Sequence, residues 1–172
     1  MPMKKSFALV FALAFALVLS GVALANPGGG TASQTVSFEV APIHAIAVSG
    51  DPLPLVINSA SAGSEPDDAI DSTTSYSFTT NSVYGPSFIS ASLDSAMPLG
   101  VTLWVKLAAP VGALSEDYVP LSNYEQIVVF GLEAGTASGL GIWYKLHAPA
   151  EAGFNGGGSR TVTFTLMGGM EG

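Results

Sequence analysis

The chain has 172 residues, with five Lys and Arg against thirteen Asp and Glu, a formal charge of −8, no Cys, and 48% hydrophobic but only 10% charged residues. Five basic residues cannot build the stripe of phosphate contacts that nucleic-acid binding requires, and high apolar content with so little charge is the opposite of a disordered composition. Without Cys there is no disulfide scaffold, zinc finger, iron–sulfur cluster or thiol nucleophile.

Met1 to Ala25 reads as a secretion signal. Lys4 and Lys5 give a positive start, an apolar run follows from Phe7 to Leu19, and Ala23-Leu24-Ala25 is a small-x-small cleavage site. The alternative is an uncleaved anchor, since Phe7 to Ala25 approaches the ~20 residues that span a bilayer. Against it, Pro27-Gly28-Gly29-Gly30 just beyond would break such a helix. Cleavage after Ala25 leaves Lys106, Lys145 and Arg160 against all thirteen acids, a formal charge of −10. The expected product is secreted, extracellular or on the cell surface, with residues 26–33 a flexible Gly-rich lead and 34–172 one domain.

Thr35 to Val40 alternates, with Val36, Phe38 and Val40 on one face and Thr35, Ser37 and Glu39 on the other, the pattern of a half-buried strand. Ile43 to Ser49 predicts a second strand, and Leu53 to Ile57 a third whose Pro54 suits an edge. Asn58 to Asp71 is small and acidic and reads as a loop. Strands are predicted next over Ser75–Thr80, with Tyr76 and Phe78 inward, and Phe88–Leu93, with Ile89, Ala91 and Leu93 inward. Val101–Leu107 follows, with Val101, Leu103, Val105 and Leu107 inward and Thr102, Trp104 and Lys106 outward.

Ala108 to Tyr124 reads as a long connection, Gln126–Leu132 as a strand, and Glu133–Gly139 as a Gly/Ala/Ser loop. Leu140, Ile142, Tyr144 and Leu146 then define an inward face opposite Gly141, Trp143, Lys145 and His147. Thr161–Met167 ends the series with Val162, Phe164 and Leu166 inward. About nine strands near the spacing of 8–12 residues predict an all-β fold, a single immunoglobulin-like β-sandwich.

The catalytic inventory is thin. The chain carries no G-x-S-x-G elbow, H-E-x-x-H, P-loop or dinucleotide fingerprint. A histidine-based site would have to use His44, His147 or both; the ordinary reading of each is a strand residue with a local hydrogen bond. No catalytic residue and no enzymatic activity are expected. Glu65, Asp67, Asp68 and Asp71 place four carboxylates in a Ser/Gly-rich loop, the hard oxygen ligands that Ca²⁺ selects, although the EF-hand spacing is missing. The alternative is a solvated acidic loop, and no other cofactor is expected. Trp104 and Trp143 fall outward by parity, as a sugar-stacking platform, a protein contact, or a face covered by a loop.

The ending GSRTVTFTL (Gly158 to Leu166) and the opening TVSFEVAPIHAIAVSG resemble the last and first strands of secreted β-sandwich pilin and coat subunits, the spore-coat-U-like and chaperone–usher families. The chain departs from the chaperone–usher pattern in lacking its early Cys pair. It also carries no W-x-L motif, since Trp104 is followed by Val105-Lys106 and Trp143 by Tyr144-Lys145. The resemblance implies a homopolymer of sandwiches joined by strand donation, in which an extended segment completes a neighbour's sheet edge. Val36, Phe38 and Val40 are the candidate donor residues, the alternative being that this strand pairs within its own domain. The expectation is a secreted structural subunit of an extracellular filament, coat or matrix, with copies of itself as partners, no nucleic acid, and no membrane span once the signal is removed. The runner-up is a secreted carbohydrate- or envelope-binding module using Trp104, Trp143 and a calcium-loaded acidic loop.

Overall fold

The computed structural model describes residues 31–154 and 156–169; the segment read as a secretion signal lies outside them. The chain divides between Glu39 and Val40 into two units. In chain order the strands are β1 (His44–Val48), β2 (Ala69–Thr80), β3 (Ser87–Leu93), β4 (Thr102–Leu107), β5 (Leu114–Ser115), β6 (Val119–Pro120), β7 (Gln126–Leu132), β8 (Gly135–His147) and β9 (Val162–Met167), with a single 3-10 turn at Ala150–Ala152. The fold is all-β. Two antiparallel sheets, ordered β1-β2-β8-β4-β6 and β5-β7-β3-β9, share one core, the arrangement of a β-sandwich.

Period-two patterning chooses the faces. In β4, Leu103, Val105 and Leu107 are buried while Thr102, Trp104 and Lys106 are only partly covered. Ile142 and Tyr144 of β8, Tyr76 and Phe78 of β2, and Ile89, Ala91 and Leu93 of β3 meet them from the expected faces. Strand β7 breaks the rule: Val128 and Val129 are both buried, because register shifts against β3 put two residues of β7 opposite one. One of those shifts falls at Gly131, whose φ of 79° places it in the left-handed region that glycine adopts without a Cβ penalty.

Four sequence readings are corrected. Thr35–Val40 carries no strand; alternation makes a segment amphipathic, but only a neighbouring ladder makes it a strand, and residues 31–40 form no backbone hydrogen bond to any described residue. Leu53–Ile57 is likewise unpaired, in a stretch where Pro52 and Pro54 remove two donors. Of the supposed loop Glu133–Gly139 only Glu133 and Ala134 lie outside a strand; Gly135 to Gly139 are the first part of β8, since Gly135, Thr136 and Ala137 pair with Thr80, Thr79 and Phe78. The acidic loop ends early for the same reason: Ala69, Ile70 and Asp71 belong to β2 and pair with Leu146, Lys145 and Tyr144. In the long connection, the two-residue strands β5 and β6 add short edges. Among the described residues no helix is long and apolar enough to cross a membrane.

Candidate functional site

The segment 31–40 is an amphipathic arm with no backbone hydrogen-bond partner among the described residues. Val36, Phe38 and Val40 expose 71%, 93% and 80% of their surface, a cost in unburied apolar area that a strand partner would relieve. Just downstream the chain is seized by Asn81, at the turn that ends β2. Its Oδ1 accepts from the Ile43 amide at 2.6 Å, its Nδ2 donates to the Ala41 carbonyl at 2.9 Å, and its own amide donates to the Ile43 carbonyl at 3.2 Å. A side-chain amide can satisfy a donor and an acceptor at once. Asn81 therefore fixes the point at which the chain becomes part of the sheet, and nothing in its local sequence marks it for that role.

At the other end of β1 the two sheets do not close. Strand β1 stops at Val48, opposite Tyr76, while β2 and β8 run on to Ala69 and Leu146. The space left is an apolar chamber of about 1280 Å³, partly open to solvent. Leu103, Ile142 and Tyr144 form its floor, and Val162 and Phe164 of β9 its wall. Only part of the segment 50–60 covers it, with Leu55 and Ile57 half-buried and Leu53 and Val56 exposed. Parity gives Val162 and Phe164 the inward face correctly, but both stay only half-buried because that side of the core is underfilled. Among the described residues β9 pairs only with β3, so its outer edge is unladdered.

Two buried tyrosines are perturbed, Tyr144 in the lining of this space and Tyr76 in the core beside it. Burial pushes the Tyr76 hydroxyl up to about 12, and that hydroxyl donates to the Ala108 carbonyl. Tyr144 is also pushed up to about 12, by burial first and then by the negative charges of Asp71 and Asp51. Both rings are thus neutral donors throughout the physiological range.

The acidic loop does not gather its carboxylates. Glu65 Oε2 accepts from the Ala150 amide at 2.7 Å, Asp67 from the Ser59 hydroxyl at 2.7 Å, and Asp71 from the Thr73 amide and hydroxyl at 3.1 and 2.9 Å. Asp68 meets His147 Nδ1 at 2.7 Å, with Lys145 Nζ 4.0 Å from its other oxygen. Each acid has its own partner, and among the described residues no three His, Asp or Glu side chains come together in a way that could hold a metal ion. The effect is a strap: the loop between β1 and β2 is tied to β8 and the 3-10 turn.

The two histidines are kept apart. His44 pairs in register with Thr80 at one end of β2, its Nδ1 3.0 Å from the Thr80 hydroxyl, whereas His147 lies beyond Leu146, the partner of Ala69 at the other end. A twelve-residue strand separates them by roughly 35 Å, far beyond the reach of a shared site.

Trp104 and Trp143 do lie on the outer face of the first sheet, as parity requires, but neither ring stands free. Lys145 Nζ lies 5.0 Å from the Trp104 ring and 4.8 Å from the Tyr118 ring, a pair of cation–π contacts. The Trp143 ring folds back over Gly141, where a Cβ would come within 2.8 Å of it. Next to them Lys106 and Asp117 bond at 2.8 Å in the open. Their hydrogen bond, and then their opposite charges, hold the lysine above and the aspartate below their usual ranges. No family model, curated protein or solved structure matches the chain.

Proposed function

We propose that this protein is a secreted structural subunit of an extracellular filament, coat or matrix, an immunoglobulin-like sandwich that polymerises with copies of itself by donating its N-terminal arm. The observation that carries the reading is the arm itself. Three alternating apolar side chains stand 71–93% exposed on a segment with no backbone partner among the described residues, directly before a chain clamped into its sheet by Asn81. Such a segment gains both a ladder and a dry face by joining a neighbour. A head-to-tail contact of this kind propagates rather than closing on itself. The secretion signal read in Met1–Ala25, and the resemblance of the first and last strands to pilin and coat subunits, support the same reading.

The test compares the mature chain with a variant lacking residues 26–40, by electron microscopy and sedimentation at high concentration. The full chain is expected to form filaments and the variant to stay a folded monomer. A variant that polymerises as the full chain does removes strand donation, and a full chain that stays monomeric at millimolar concentration removes the structural-subunit reading.

A further inference from the structure

Where β2 runs on past the end of β1, the inward face of the first sheet turns polar. Asp71 pairs in register with Tyr144 and Thr74 with Ile142, and cross-strand partners point to the same side of a sheet. Tyr144 and Ile142 lie in the floor of the apolar chamber, so Asp71 and Thr74 face the interior beside it. Burial agrees, since each is only 6% exposed. A carboxylate and a hydroxyl taken out of water both need partners.

Neither is fully supplied. Asp71 accepts from the amide and hydroxyl of Thr73, two residues on, and among the described residues no cation lies within ion-pair distance of it. The Thr74 hydroxyl is buried with no hydrogen-bond partner among the described residues. The Tyr144 phenol beside them stays neutral, and Asp51, in the lining of the chamber, also has no ion-pair partner among the described residues. A buried negative charge, an orphan hydroxyl and a neutral phenol thus converge where a large apolar space begins. Mostly apolar walls with a few placed polar groups are the composition of a small-molecule site.

We propose that the chamber binds a small apolar amine in its protonated form, the ammonium held by Asp71, Thr74 and Tyr144 and the hydrocarbon laid against Leu103, Val162 and Phe164. An alkylammonium carries three N–H donors and no acceptor. The three oxygens answer them one for one, since a carboxylate keeps lone pairs to spare after its bonds to Thr73. Asp51 adds a second negative charge in the lining, and the formal charge of −8 draws cations toward the molecule as a whole. At about 1280 Å³ the chamber has room for the hydrocarbon.

Other occupants fit less well. A Ca²⁺ ion takes ~6–8 oxygen ligands, and among the described residues no three His, Asp or Glu side chains gather to supply them. An anionic amphiphile would need Arg160, the one cation in the lining, whose Nε and Nη1 already donate to the carbonyls of Ala96 and Ser159.

Octylammonium, octanol and octanoate share one chain length and differ only in their heads. Each is titrated into the full mature chain by calorimetry, while the methyl group of Met97, which lines the chamber, is followed by NMR. Octylammonium is expected to bind one per chain and shift Met97, octanol to bind about tenfold more weakly, and octanoate not to bind. Asp71→Asn should erase the preference for the ammonium over octanol. Thr74→Val keeps the shape and removes an unpaired hydroxyl, so it should lower ammonium affinity about threefold or more without lowering stability. Equal binding of octylammonium and octanol, tighter binding of octanoate, or no binding of any of the three at millimolar concentration overturns the proposal. So does octylammonium binding that leaves Met97 unmoved, which places the amine on surface carboxylates. Should Asp71→Asn fail to fold, Thr74→Val decides by itself, and an unchanged ammonium affinity in that variant also overturns the proposal.

Discussion

Asp68 and His147 stand 79 residues apart in sequence and 2.7 Å apart in space, carboxylate Oδ1 to imidazole Nδ1. The contact joins the loop before β2 to the last residue of β8, and Lys145 flanks it at 4.0 Å. Its members are a third or more exposed, so the pair belongs with surface ion pairs worth about 0–1 kcal/mol. Asp68→Ala should therefore lower stability by no more than about 1 kcal/mol while loosening the loop over residues 59–68. Denaturant unfolding and amide exchange in that loop measure the two effects. A loss above about 3 kcal/mol would show that the strap is part of the core and not an addition to it.

Tyr76→Phe is expected to cost about 1–2 kcal/mol, because it removes the donor to the Ala108 carbonyl from a ring that is only 1% exposed and leaves that acceptor unpaired. Trp104→Phe should behave differently. The Trp104 indole N–H is buried and has no acceptor among the described residues, so its removal relieves an unsatisfied donor and offsets part of the lost packing. Parallel chemical denaturation of the two variants checks the contrast, with Tyr76→Phe expected to be the less stable.

Alkaline pH should unfold the protein over a defined window. Tyr76 and Tyr144 ionise near 10 when unfolded and at about 12 when folded. For a group whose folded value is raised, the stabilising contribution is complete below the unfolded value, here pH 10, and is lost as pH rises toward the folded value near 12. Tyrosinate absorbance and circular dichroism recorded together from pH 9 to about 12.5 should show ionisation of these two rings coinciding with unfolding. Ionisation near pH 10 with the fold intact would contradict the burial argument.

Glycines 168 and 169 predict a graded pair. A Cβ on Gly169 would lie 2.6 Å from the carbonyl carbon and oxygen of Gly85, which are backbone atoms that cannot step aside. On Gly168 it would meet the His44 imidazole at 2.6 Å, a side chain that can rotate once its contact with Thr80 is given up. Gly169→Ala should cost about 1–3 kcal/mol and Gly168→Ala less, as midpoints of thermal unfolding would register. The reverse order would mean that His44 is held more rigidly than the backbone around Gly85.

Legibility in the sequence followed the source of each signal. Inward faces were readable wherever bulky apolar residues alternate, so Leu103, Val105, Ile142, Tyr144, Ile89 and Phe78 lie where parity puts them. The first part of β8 was not readable, because Gly135 to Gly139 form a strand through their β2 partners and not through any propensity of their own. Thr35–Val40 failed in the opposite sense, with a full strand pattern and no ladder to any described residue. Of the features that make up the candidate site, the arm was visible as a pattern. The Asn81 clamp and the chamber were not, since both arise from where strands stop, and alternation gives faces without pairings.

The order of strands in the two sheets carries a further consequence. Among the described residues only β1 and β2 are neighbours both in sequence and in a ladder, and even they are separated by the loop from residue 49 to 68. The pairings of β2 with β8, β4 with β8, and β3 with β7 and β9 must each close a long stretch of chain before the first hydrogen bond forms. Folding of such topologies runs on the scale of milliseconds to seconds, with strand edges bare in the meantime. The Ser and Thr residues that alternate through the second half of β2 and through β9 therefore matter before the native state exists: they keep one face of each unpaired strand wettable while its distant partner is still being found.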